Sequence, residues 1–173
     1  MPHSYHFGKP EAVEYIIQNV PVTMKIMDVG PGVGTYSDLL TPYGYHMDCV
    51  EIYMGYIQAY DLHKKYRLVF CSDVMDFNLS KYDFVVLGDV LEHLEIEKAQ
   101  ELVERTKRCL AAVPYLCPQG GVEFEHEGMK LSNPYEEHKQ ADLTPENMLT
   151  RYPSLKEIWT DSQYGYYVKE NKC

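Results

Sequence analysis

The chain has 173 residues, of which 45% are hydrophobic and 24% charged, with a formal charge of −10. That length supports one domain, 1–173, with a three-layer core, and the acidic balance disfavours a nucleic-acid surface, which needs clustered Lys and Arg. No apolar run approaches the length needed to cross a membrane, the chain's N-terminus lacks the apolar core of a secretory signal, and its five cysteines (Cys49, Cys71, Cys109, Cys117, Cys173) never form C-x-x-C, the pattern of reduced thiols in a cytoplasmic protein.

In chain order, Lys9, Pro10 and Glu11 open a helix whose apolar stripe is Ala12, Val13, Ile16, Ile17 and Val20, with Pro21 ending it. Residues 24–29 read as a strand, followed by a glycine-rich turn. A helix then carries Tyr36, Leu39 and Leu40 at helical spacing and ends near Pro42 and Gly44. Residues 45–52 are predicted as a strand, 54–64 as a helix, 67–71 and 82–87 as strands. Unbroken apolar character in the last of these suits a strand covered on both faces. A long helix is predicted over 95–110, with Ile96, Ala99 and Val103 on one side. The basic run Arg105, Thr106, Lys107 and Arg108 closes it, where cations suit the helix dipole. A fifth strand overlaps that end at 109–115.

Residues 116–142 show no clear periodicity and read as a long functional loop. Thr144 and Pro145 then begin a short helix as cap and first helical residue. Residues 155–161 and 164–169 alternate with β-type side chains around a polar turn, a closing hairpin. Strands alternating with helices predict an α/β fold, a doubly wound, mostly parallel sheet with right-handed crossovers and helices on both faces.

The densest chemical signal is Asp28-Val29-Gly30-Pro31-Gly32-Val33-Gly34, at the end of the first strand. Glycine lets the backbone turn sharply and lie against a ligand where a Cβ would collide, and Gly34 permits close strand–helix approach. A dinucleotide fingerprint reads G-x-G-x-x-G and seats a pyrophosphate. Here the pattern is D-x-G-x-G-x-G, and an acid at the strand end repels a diphosphate but suits an ammonium or hydroxyls. This stretch resembles the first motif of class I S-adenosylmethionine (SAM)-dependent methyltransferases. The resemblance runs over nearly the whole chain and implies a seven-stranded sheet completed by the antiparallel C-terminal hairpin.

The same resemblance implies SAM as cofactor and assigns its contacts to Asp28, Gly30, Gly32, Gly34, Glu51, Asp73, Val74 and Asp89. Glu51, ending the second strand, can accept both ribose hydroxyl protons. Asp73, with the nearby Asp76 as a competing acid, and the Val74 N–H match the adenine position, and Asp89 the methionine end. Glu92 and His93 read as capping and orienting the helix that follows. Methyl transfer from a sulfonium is an in-line displacement that needs alignment in a dehydrated pocket, and a base only if the acceptor must lose a proton. For that step the candidates are Tyr135 and His138, the latter because a free imidazole, unlike the other side chains there, changes charge near neutrality. Tyr5 and His6 are placed as a lid by position in relatives.

The acceptor is expected to be a small or medium-sized polar molecule. Its site is open, shaped by 116–142, or completed by a second subunit in a homodimer. Three other readings stand beside this one. A catalytically silent SAM-binding module would act through protein partners, using surfaces rich in tyrosine such as Tyr164, Tyr166 and Tyr167. An NAD or nucleotide-sugar enzyme can share the sheet type. Finally, Asp89, Glu92, His93 and His138 loosely resemble the metal set of small-RNA 2′-O-methyltransferases. The acidic chain and an incomplete second carboxylate–histidine arm count against that last reading, and no metal is expected.

Overall fold

The N-terminal helix α1 (Lys9–Asn19) leads into β1 (Ile26–Val29), α2 (Thr35–Leu40), β2 (Asp48–Glu51), α3 (Met54–Ala59), α4 (Leu62–Lys65) and β3 (Val69–Cys71). The chain continues through β4 (Phe84–Gly88), α5 (Ile96–Arg105), β5 (Cys109–Pro114), β6 (Val122–His126), β7 (Met129–Asn133), α6 (Pro145–Arg151), β8 (Lys156–Thr160) and β9 (Tyr164–Lys169). These elements come from a computed structural model that describes residues 8–126 and 128–170. The expected lid residues Tyr5 and His6 lie outside the described residues, as does Cys173.

Seven strands form one sheet in the order β3-β2-β1-β4-β5-β9-β8. β1 pairs in parallel with β2 and β4, β2 with β3, and β4 with β5, while β9 runs antiparallel to both β5 and β8. The expected mostly parallel sheet with an antiparallel closing hairpin is therefore present. Strand side chains alternate between faces, and the buried apolar residues divide accordingly. Met27, Val85, Leu87 and Ala111 pack with Leu102 and Val103 of α5 and Met148 of α6. Ile26, Phe84, Val86 and Ala112 pack with Ile16 of α1, Leu40 of α2 and Ile57 of α3. Ile17 and Leu39, expected in the apolar stripes, are instead 37% and 38% exposed.

Apart from strand ends that shift by up to three residues, three elements differ from those expected. The helix over 54–64 is broken: Asp61 takes φ +50°, a left-handed conformation that interrupts helical geometry between α3 and α4. The helix expected to reach 110 stops at Arg105. Thr106 leaves helical geometry with ψ 144°, and its hydroxyl donates to the Val103 carbonyl at 2.7 Å. Leu110 thus sits in β5, opposite Val86 of β4. The basic run is spent on neighbouring segments: Arg105 donates to the carbonyls of Met75 and Phe77, and Lys107 pairs with Asp83 at 3.2 Å.

The third difference lies inside 116–142, which is no bare loop. β6 and β7 form a two-stranded antiparallel sheet of their own, turned at Gly128 with φ +79°. The Phe124 ring stands 5.2 Å from that of Tyr56 and 6.4 Å from that of Tyr60, fastening the hairpin to α3 and the turn after it. Among the described residues, no helix is long and apolar enough to cross a membrane.

Candidate active site

Strand order reverses between β1 and β4, and in open α/β sheets ligands sit beyond the carboxyl ends of the strands at such a switch. A cavity of about 410 Å³ opens there, within the usual range for small-molecule sites. Four strand tips wall it: Gly30 and Gly32 after β1, Glu51 and Ile52 at β2, Asp73 and Val74 after β3, and Gly88 and Asp89 at β4. The segment after β7 closes the other side through Asn133, Tyr135, Glu136, Glu137 and Lys139.

The glycine turn is held by backbone bonds: Gly30 N–H donates to Val50 O at 2.9 Å, and Gly34 N–H to Pro31 O at 2.8 Å. Gly32, at φ +53°, sits in a region where a side chain is strained. Gly34, at φ +84°, faces α4, where a Cβ would meet Lys65 Cδ at 2.7 Å. It serves close packing rather than the cavity wall.

Asp28 and Gly34 do not line the cavity; Gly30, Gly32, Glu51, Asp73, Val74, Asp89 and Tyr135 do. Asp28 is 1% exposed and accepts a 2.6 Å hydrogen bond from the Tyr66 hydroxyl. Burial pushes its carboxyl up to about 7, against the opposing pull of Tyr66 and of the Lys9 ammonium. Glu51 is 4% exposed, and one carboxylate oxygen accepts the Tyr53 N–H at 2.8 Å. Burial likewise lifts its pKa to about 7, while the Tyr53 and Gly32 N–H groups pull it down. A carboxylate so placed has acceptor capacity to spare, and among the described residues it makes no salt bridge.

Asp73 accepts the Met75 N–H at 2.8 Å, which fixes the turn after β3. Asp89 takes φ +57° at the tip of β4, an unusual conformation for a non-glycine residue. One of its oxygens accepts from the Tyr164 hydroxyl, and the other is buried without a partner among the described residues. Tyr135 is 50% exposed at the cavity edge.

His138 is not among the lining residues, whereas His93 is. The two rings meet edge to face at 4.7 Å. Burial and the neighbouring His138 hold the His93 pKa below its usual value. Neither Glu92 nor His93 caps α5, whose N-cap is Glu95 with no side-chain bond. Glu92 is instead buried to 1% exposure. Tyr56 was not picked out as part of the site from sequence; His93 was read there only in the helix cap and the loosely resembled metal set, and the β6–β7 hairpin only as part of the 116–142 loop. The alternation Val122-Glu123-Phe124-Glu125 ahead of Gly128 was the available signal for the hairpin.

A family model described as a methyltransferase domain matches residues 8–152. A search of curated proteins found no match. Among solved structures, the chain is similar to a SAM-dependent methyltransferase from Clostridium acetobutylicum, with TM-score 0.67 and 9% identity over 93% of this chain and 89% of that one. It is also similar to the 1,6-didemethyltoxoflavin-N1-methyltransferase of Burkholderia thailandensis, crystallised with its substrate and S-adenosylhomocysteine, with TM-score 0.65 and 10% identity over 96% and 79% of the two chains. A third is the magnesium protoporphyrin IX methyltransferase of Synechocystis, with TM-score 0.62 and 14% identity over 93% and 81%. At such identities these likenesses speak for the fold, and the family match covers most of the chain: it belongs to the methyltransferase-domain family, with the fold of the class I SAM-dependent enzymes.

Proposed function

We propose that the protein transfers a methyl group from SAM to a small or medium-sized polar acceptor. The observation that carries this reading is the Glu51 carboxylate, buried and turned into a cavity whose facing wall is a turn of glycines. Such a pair suits an adenosyl ligand with ribose hydroxyls to donate and no phosphate to be repelled. In this reading Glu51 accepts the ribose hydroxyls, Asp73 and the Val74 N–H meet the adenine, and Gly30 and Gly32 lie along the methionyl chain. The free oxygen of Asp89 accepts from the methionyl ammonium. Asp28 and Gly34 act from behind, holding the turn against Tyr66 and α4.

Chemistry in this account is alignment. The chain holds the sulfonium methyl toward the end of the cavity marked by Tyr135, Glu136 and His93, where the acceptor enters after shedding water. Tyr135 contacts the acceptor, and His93 borders it with the His138 ring packed against its own. The neighbours' named substrates differ from one another, so fold likeness does not choose among acceptors.

Calorimetric titration with S-adenosylhomocysteine (SAH), SAM and NAD tests the cofactor. Incubation with SAM and fractionated metabolites, read as SAH release, tests turnover. Tighter binding of SAH than of NAD, with turnover, supports the reading. Tighter binding of NAD overturns it, and SAH binding without turnover on any fraction favours a silent binding module.

A further inference from the structure

Glu92 presents a problem that the cofactor reading leaves unsolved. Its side chain is buried, and neither carboxylate oxygen meets a hydrogen-bond partner among the described residues. Buried acids are normally paired or hydrogen-bonded, because stripping a carboxylate of water costs several kcal/mol. What the fold does bring to Glu92 is a pair of imidazoles. His93 follows it in the turn after β4. His138 arrives on a distant segment that is strapped to the same turn: the N–H groups of Lys139 and Gln140 donate to the Glu92 carbonyl at 2.7 and 3.0 Å. The Gln140 side chain also donates to the carbonyls of Leu91 and Leu94. One ligating atom from each of Glu92, His93 and His138 lies within 4.8 Å of the other two.

The ring nitrogens are already sorted. His93 Nδ1 faces the Glu137 carbonyl at 3.3 Å, and His138 Nδ1 faces the Cys117 carbonyl at 2.5 Å. A carbonyl only accepts, so each Nδ1 carries the proton and each Nε2 keeps its lone pair. Metal-ligating histidines are held in this way, with the second nitrogen donating to a backbone oxygen. We propose that Glu92, His93 and His138 bind a divalent first-row metal ion beside the cavity.

Two imidazoles and one carboxylate suit Zn²⁺ or an ion of similar softness better than Mg²⁺, which prefers oxygen throughout. Ligands about 2.1 Å from a tetrahedral ion stand about 3.4 Å apart, so the ion draws the three side chains inward by small rotations. Asp89 is not in the cluster, and one of its oxygens is held by Tyr164. The site therefore departs from both the expectation of no metal and the four-residue set that the sequence loosely resembled. His93 also lines the cavity, so the bound ion borders its acceptor end and fastens the 137–140 strap. The inference does not rest on the identity of the cofactor.

The test uses the full chain freed of metal by a chelator and titrated with Co²⁺, read by visible absorption, then displaced with Zn²⁺. One equivalent should bind, with His93→Asn and His138→Asn each weakening it at least tenfold, and Zn²⁺ should raise the melting temperature of the parent protein but not of these two variants. A His63→Asn control, an exposed residue outside the cluster, should leave Co²⁺ binding unchanged. Where a histidine variant fails to fold, Glu92→Gln replaces it: that change keeps the shape of the buried side chain, removes the carboxylate ligand and should still abolish Co²⁺ binding. No Co²⁺ absorption at millimolar metal, or binding that survives Glu92→Gln and His138→Asn, overturns the site. An SAH titration on the same metal-free sample separates that failure from failure of the methyltransferase reading.

Discussion

Replacing Glu51 with glutamine is expected to strengthen the empty protein and weaken its hold on SAH. Burial raises the Glu51 pKa from 4.5 to about 7, so the folded state keeps its proton to higher pH than the unfolded chain does. Ionised Glu51 therefore destabilises the fold increasingly as pH climbs from about 4.5 through 7, by about 3 kcal/mol once pH passes 7. Glutamine carries no charge and keeps an amide oxygen for the Tyr53 N–H. Urea unfolding should show Glu51→Gln about 3 kcal/mol more stable than the parent at pH 8, and within about 1 kcal/mol of it at pH 5. SAH affinity should fall by about 1.5–3 kcal/mol, the worth of hydrogen bonds to a charged group. A variant no more stable than the parent at pH 8 would refute the argument that this carboxylate is uncompensated. Unchanged SAH affinity would remove it from the ribose.

Asp28→Asn should act in the same direction, gaining about 4 kcal/mol at pH 8 over a window from 3.8 to about 7, measured by urea unfolding at both ends of that window. Gly32→Val should abolish SAH binding by calorimetry while leaving the circular dichroism spectrum unchanged, since the turn lies against the cavity at φ +53°. Phe124→Ala should loosen the β6–β7 hairpin from Tyr56 and Tyr60, seen as faster amide hydrogen exchange across 122–133 with little change in the central sheet.

Much of this molecule is legible in its sequence. The D-x-G-x-G-x-G turn, the apolar runs of β1 and β4, the Thr144–Pro145 start of α6 and the closing hairpin all carry local signals that tertiary packing reinforces. The capping box at Thr144 and Asn147 formed as a local motif. What sequence could not show is decided by contacts between distant segments. Asp61 breaks a helix that its neighbours favour, and Thr106 ends another where the chain must turn back into β5. The β6–β7 hairpin has its own alternation, but its charged face made it read as loop until Phe124 is seen against α3.

The site divides the same way. Residues at strand tips are placed by the topology of the sheet, and so Glu51, Asp73 and Asp89 reach the cavity from a reading of strand ends alone. Asp28 shares the motif with the glycines, yet its side chain points to the opposite cluster and to Tyr66, an outcome of strand alternation. The meeting of His93 with His138 depends on the strap from Lys139 and Gln140 to Glu92, which no spacing rule encodes.

The central claim is that the cavity between the glycine turn and Glu51 binds an adenosyl sulfonium compound. The most direct measurement is a crystal structure grown with SAH. The account predicts the ligand lying across the tips of β1 and β2, with both ribose hydroxyls on the Glu51 carboxylate and sulfur facing Tyr135 and His93. SAH seated elsewhere, or that cavity left without it at saturating concentration, would contradict it.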